Sequence, residues 1–159
     1  MAYPIQYPVF TGTKKKKAKG QGEYAFAKRL LGLTSDNPVL ISSSQKEGLP
    51  FKSLGRLQEA LDMSDRGIAH LLEMDAKTLS RRRKQGHLDP LESDRLLRVG
   101  RVVWIAIEVM EGDRKEAKEW LLEPNDFLGN KRPMDVINTD IGARQVEDML
   151  GGMEWGHTA

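Results

Sequence analysis

The chain has 159 residues, no cysteine and a formal net charge of +2; 30% of its residues are charged and 39% hydrophobic. This excludes disulfide and thiolate-metal chemistry, favours a reducing compartment and leaves room for one compact domain or two very small ones. No apolar run approaches the roughly 20 residues that span a bilayer, and the N-terminal MAYPIQYPVFTGTKKKK places its charges after its apolar residues, the reverse of a secretion signal. A soluble, cytoplasmic protein without a membrane partner is expected.

Residues 1 to 22 hold Pro4, Pro8, Gly12, Gly20, Gly22 and the run Lys14 to Lys17, and read as a mobile basic arm. A short helix is predicted from Glu23 to Leu31, stopped by Gly32. Residues 34 to 48 are Ser-rich, contain Pro38 and Gly48, and read as a linker with at most one extended piece at Val39 to Ile41. From residue 50 the apolar spacing is helical: Leu54, Leu57, Ala60 and Leu61; then Ile68, Ala69, Leu71 and Leu72 behind a Ser64 or Asp65 cap; then a helix from Ala76 to about Lys84, capped by Asp75 and closed by Gly86. Pro90 suits the first turn of a long helix that runs to Gly112. Asp113 with Glu116 predicts a capping box for the next helix, which Pro124 stops. Pro133 opens a short helix, and a last one runs from about Asp140 to Leu150, with Gly151-Gly152 as its stop. Nothing alternates with period two, so the fold class is all-α. The expected domains are an arm and linker over 1–49, a helix-turn-helix over 50–100 and a small helical domain over 101–159.

Charge divides the chain. Residues 77 to 84 carry Lys77, Arg81, Arg82, Arg83 and Lys84 with no acid; residues 135 to 154 carry Asp135, Asp140, Glu147, Asp148 and Glu154 against Arg144 alone. A basic middle and an acidic end point to two different partners.

The middle meets the packing demands of a helix-turn-helix. Ile68, Ala69 and Leu72 supply the inner face of the first helix, with Ala69 as the small residue at the crossing; Met74 plugs the turn and Leu79 anchors the second helix. Glu73 stands where the turn usually holds Gly, a poorer fit to a left-handed conformation. With Leu79 pointing inward, Lys77, Arg81 and Lys84 fall on the opposite side of the wheel, flanked by Thr78 and Ser80. These groups suit phosphates and the guanine edge of a major groove. Arg82 and Arg83 lie nearer the inner side and must snorkel or pair; Arg82 joins Lys77, Thr78, Ser80, Arg81 and Lys84 as a candidate DNA contact. The Lys14 to Lys19 cluster either adds phosphate contacts or only solubilises the arm.

Downstream, the order Ala117-x-x-Trp120-Leu121-x-x-Pro124-Asn125, Leu128-Gly129, Arg132-Pro133-x-Asp135, Thr139-x-x-Gly142 and Val146-x-x-x-Leu150 resembles the Xre/MbcA/ParS toxin-binding domain, the antitoxin half of RES–Xre type II toxin–antitoxin modules. The preceding helix-turn-helix with its Arg pair is similar to that family too. Asn130 departs from it, a second Gly being common there. The resemblance implies an antitoxin that represses its own operon and lies over the active-site entrance of a RES-domain toxin that consumes NAD. Candidate toxin contacts are Arg132, Asp135, Arg144, Glu154, Trp155 and His157, the tail from Glu154 serving as a plug for a basic pocket. Arg132 either caps nearby carbonyls or anchors the interface, and Trp104 is either core or a dimer contact.

No catalytic constellation stands out: His70, His87 and His157 are scattered, and no phosphate-cradling loop or metal-spaced cluster occurs. No enzyme activity, cofactor or metal is expected. Partners are a RES-domain toxin, operator DNA and a second copy of the chain, since helix-turn-helix proteins bind paired half-sites; the apolar stretch Val99 to Val109 is either the dimer seam or the core of one monomer. A different class remains open, a regulator that senses a small molecule through its C-terminal helices.

Overall fold

A computed structural model describes residues 22–155, the last two by their helical backbone alone. The fold is all-α: α1 (Ala25–Arg29), α2 (Pro38–Glu47), α3 (Phe51–Ala60), α4 (Asp65–Leu71), α5 (Ala76–Gln85), α6 (Pro90–Val109), α7 (Arg114–Leu122), a 3-10 turn at Asp126–Leu128, α8 (Pro133–Val136) and α9 (Asp140–Trp155). The arm expected over residues 1 to 22 lies outside the described residues save Gly22.

α6 is the spine. Asp89 and Glu92 start it with a full capping box around Pro90. Leu96, Val99, Val102, Val103 and Ala106 are wholly buried along it, and α1, α2, α7 and α9 pack on it. Gly100 lets Leu31, just beyond α1, approach, for a Cβ there would lie 3.1 Å from a Leu31 methyl. The apolar stretch from Val99 is therefore core of the single chain and not a free seam. Trp104 is half-buried against that core. The expected boundary between residues 100 and 101 falls inside this unbroken helix.

Two expectations fail. Residues 38–47 form α2 and not a linker: Asn37 Oδ1 accepts from the Val39 and Leu40 amides, Pro38 occupies the first turn, and Gly48 closes the end. The supposed breakers are its boundary signals, and Ile41 is buried while Leu49 beyond is wholly so. At the other end, α9 runs through Gly151 and Gly152 to Trp155. Each Gly costs a helix interior about 1 kcal/mol relative to Ala, but Leu150 is buried and Met149 and Met153 pack on the core, so the apolar stripe carries the helix past them.

Candidate functional site

α4 and α5 form the helix-turn-helix. Ser64 caps α4, its Oγ accepting from the Gly67 amide at 3.1 Å. Asp75 caps α5, accepting from the Thr78 amide at 2.6 Å; that bond first holds the Asp75 carboxyl below the usual range. Gly86 ends α5 in the left-handed conformation. Ile68, Ala69, Leu72, Met74 and Leu79 are all buried, as the motif's packing requires. α3 holds the unit from behind: the Phe51 amide donates to Gly86 O at 2.9 Å and the Leu88 amide to Leu49 O at 2.9 Å.

With Leu79 inside, Lys77, Ser80, Arg81 and Lys84 are exposed and Thr78 is half-buried. Lys77, Arg81 and Lys84 make no ion pair among the described residues. Arg82 is different and leaves the exposed set. Its Nε donates to Glu92 and a terminal nitrogen to Asp89, both at 2.7 Å, with 14% of its side chain exposed. Glu92 is the dominant cause that raises the Arg82 pKa. The residue stands on the inner side of the wheel, so its charge is spent on the α6 capping box. Arg83 also pairs, with Asp65 at 2.9 Å, and lies 5.5 Å over the Phe51 ring. Sequence reasoning missed Arg66, exposed in the first turn of α4 and without an ion pair; its position beside the Ser64 cap was the available signal.

Glu73 adopts φ +54° in the turn. Its carboxylate accepts from Asn138 Nδ2 at 2.8 Å and lies 3.3 Å from an Arg95 nitrogen. Those contacts offset the left-handed backbone and tie the turn to the α8–α9 junction. Lys118 Nζ of α7 donates to Asp62 O in the α3–α4 loop at 3.0 Å.

The C-terminal motifs have local reasons. Thr139 Oγ1 accepts from the Gly142 amide at 3.1 Å and donates to Val136 O at 3.2 Å. A Cβ at Gly142 would lie 1.9 Å from Val136 O, so only glycine fits the start of α9. Asn125 caps the 3-10 turn, accepting from the Phe127 amide at 3.0 Å, and its own amide donates to Lys131 O at 3.0 Å. Asn130 adopts φ +61°, the conformation a second glycine would take and one that Asn tolerates. Arg132 and Asp135 form a bidentate pair with both contacts at 2.7 Å; Arg132 is the main cause holding the Asp135 carboxyl below its usual range. Arg132 caps no carbonyl; it serves its own loop. Arg144 pairs with Asp140 at 3.0 Å, and Arg101 with Glu147 at 2.8 Å.

Two exposed apolar side chains share this end: Ile141 is 82% and Phe127 43% exposed. Gln145 Nε2 donates to Phe127 O at 3.3 Å, so the loop lies against α9. Neither residue was singled out by sequence. Ile141 carried a signal, being out of phase with the buried Ala143, Val146 and Leu150. The side chains of Glu154 and Trp155, and all of His157, lie outside the described residues, as does the Lys14 to Lys19 cluster. Among the described residues no three His, Asp or Glu side chains could hold a metal ion, and no helix is long and apolar enough to cross a membrane.

Residues 41–101 match the antitoxin Xre-like helix-turn-helix domain, and residues 106–156 match the antitoxin Xre/MbcA/ParS C-terminal toxin-binding domain. The chain belongs to the Xre-type antitoxins. Antitoxin Xre of Yersinia enterocolitica is 28% identical over 129 residues, covering 80% of this chain and 87% of that one. Antitoxin Xre of Photorhabdus laumondii is 27% identical over the same coverage, and that of Pseudomonas putida 34% identical over 93 residues, 55% of this chain and 58% of the relative. In this antitoxin the change from one matched domain to the other falls within α6, so both are built on one helix.

Proposed function

We propose that this antitoxin neutralises a RES-domain toxin that degrades NAD, covering its active site with the C-terminal region, and represses its own operon through α5. The observation that carries the DNA half is the trio Lys77, Arg81 and Lys84, exposed and in no ion pair among the described residues, on a helix whose cap and packing are those of a helix-turn-helix. Such cations neutralise phosphates and read base edges; Thr78 and Ser80 add hydroxyls beside them. The toxin half is supported by the match of residues 106–156 and by the likeness on which the RES partner rests. Its contacts are assigned to Arg132, Asp135, Arg144 and the tail residues Glu154, Trp155 and His157, together with Ile141 and Phe127. Aromatic and apolar side chains ringed by paired charges suit an interface centre. The antitoxin acts in the cytoplasm as a homodimer on two half-sites, and is a binding protein rather than an enzyme.

Co-expression with the product of the adjacent reading frame tests the whole reading. Growth rescue, co-purification and recovery of cellular NAD are the expected results. Failure to co-purify with a RES-type product removes the toxin assignment, and full neutralisation by a chain lacking residues 152–159 removes the plug.

A further inference from the structure

Most described arginines of the antitoxin are ion-paired, as Arg82, Arg101 and Arg132 are. Arg66 and Arg81 are not, and belong to the helix-turn-helix. Arg56 and Arg114 are not either, and they lie elsewhere: with Lys52 and Arg29 they line a cavity of about 450 Å³ between the end of α1, the outer face of α3 and the start of α7. Glu59 is the one carboxylate among its lining residues.

This concentration is not what folding alone would select. Lys52 and Arg56 stand four residues apart on α3, a like-charge spacing that destabilises a helix. Arg56 is nonetheless held in place. Its Nε donates to Leu30 O at 3.3 Å, and its stem crosses Gly32, where a Cβ would lie 2.6 Å from Arg56 Cδ. Its terminal guanidinium nitrogens make no hydrogen bond among the described residues. An arginine fixed by its Nε and open at its fork, beside a second arginine and a lysine, matches the oxygens of a phosphate group. The volume is that of small-ligand sites, and Leu30 and Phe51 add apolar wall.

We propose that this cavity binds phosphate groups, at a site separate from the exposed trio of α5. The phosphate belongs either to a small phosphorylated ligand or to DNA backbone flanking the operator. The proposal does not depend on the identity of the toxin.

The test is a titration of the full-length, isotopically labelled antitoxin with inorganic pyrophosphate, against sodium chloride at equal ionic strength. Saturable shifts at the Lys52 and Arg56 amides and the Arg56 and Arg114 side chains are expected, at least about tenfold weaker in the double variant Lys52→Gln, Arg114→Gln. Both altered residues are exposed, and the unaltered protein already answers the main question. Operator duplex then distinguishes the sources. If the double variant lowers the slope of log affinity against log salt by about 2, the phosphates are the DNA's; an unchanged slope with saturable pyrophosphate binding assigns a free ligand. Shifts no larger than those from chloride, with an unchanged salt slope, overturn the proposal.

Discussion

The exposed surface of α5 and that of α9 both carry charge, but they hold it in opposite ways. On α5, Lys77, Arg81 and Lys84 make no ion pair among the described residues. Around α9, Arg144 pairs with Asp140, Arg101 with Glu147 and Arg132 with Asp135. Unpaired cations leave their attraction available to a polyanion, and that attraction is long-ranged and salt-dependent. Paired ions have spent theirs locally; what such a surface offers a partner is shape and the apolar groups between the pairs, here Ile141 and Phe127. One molecule therefore separates a surface for an electrostatic partner from one for a shaped partner.

Reversing the α5 trio (Lys77→Glu, Arg81→Glu, Lys84→Glu) removes the cations offered to a polyanion. Operator affinity should fall at least about a thousandfold, with a salt slope lowered by about 3. Stability should move by less than about 0.5 kcal/mol per site, since exposed groups without partners are replaced, and toxin neutralisation should survive. Mobility-shift titrations at several salt concentrations read the first effect and urea unfolding the second. An unchanged promoter affinity would mean that α5 is not the DNA-reading helix.

Gly142→Ala strikes the other surface. The added Cβ would meet Val136 O at 1.9 Å, a backbone atom that cannot swing aside. A loss of about 3 kcal/mol is expected, read as a lower urea midpoint and accompanied by failure to neutralise the toxin. Because α9 packs on α6 and the helix-turn-helix is bonded to it through Arg82–Glu92 and Arg95–Leu72 O, unfolding should remain one transition; two resolved transitions would show that the surfaces sit on independent units.

Arg81 and Arg82 sharpen the contrast within two adjacent residues. Arg82→Ala leaves Glu92, 5% exposed, without its cationic partner, and should cost about 2 kcal/mol in unfolding free energy with little change in operator affinity per folded molecule. Arg81→Ala should do the reverse. Equal effects on DNA binding from both would return Arg82 to the DNA-contacting set.

The same contrast explains how far the sequence could be read. Helical spacing, caps such as Asp75 and Asp113, and Pro90 in a first turn announce α3 to α7 because they are local features. α2 was missed because Pro38 and Gly48 interrupt helices as readily as they bound them, and Asn37, which decides the matter through two hydrogen bonds, looks like any turn residue. The outward trio follows from a wheel once Leu79 is placed inside. The fate of Arg82 does not, because its partners are contributed by the next helix. Glu73 looked like a flaw in the turn; its reason, Asn138, lies 65 residues away. The α9 surface was least legible, since pairing and exposure there depend on which loop lies against which helix.

Acid should titrate the depressed carboxylates while the α5 cations keep their charge, which gives the mildest test. The Asp135 carboxyl is held below its usual range chiefly by hydrogen bonding to Arg132; in the helix-turn-helix Asp65 is lowered too, first by Gln58 and then by Arg83, and Asp75 first by the Thr78 amide. A carboxylate depressed in the folded state contributes stability above its unfolded pKa and loses it as pH falls through the folded value. The loss should therefore develop between about pH 5 and pH 2. Asp135→Asn removes one such group; because Arg132 and Asp135 are 45% and 33% exposed, the variant should be weaker at pH 7 by less than about 1 kcal/mol. Its urea midpoint should converge with that of the unaltered protein below about pH 3. A gap that persists undiminished at low pH would mean that Asp135 acts through packing rather than charge, and that the pairing which distinguishes the two surfaces contributes little to holding this one in shape.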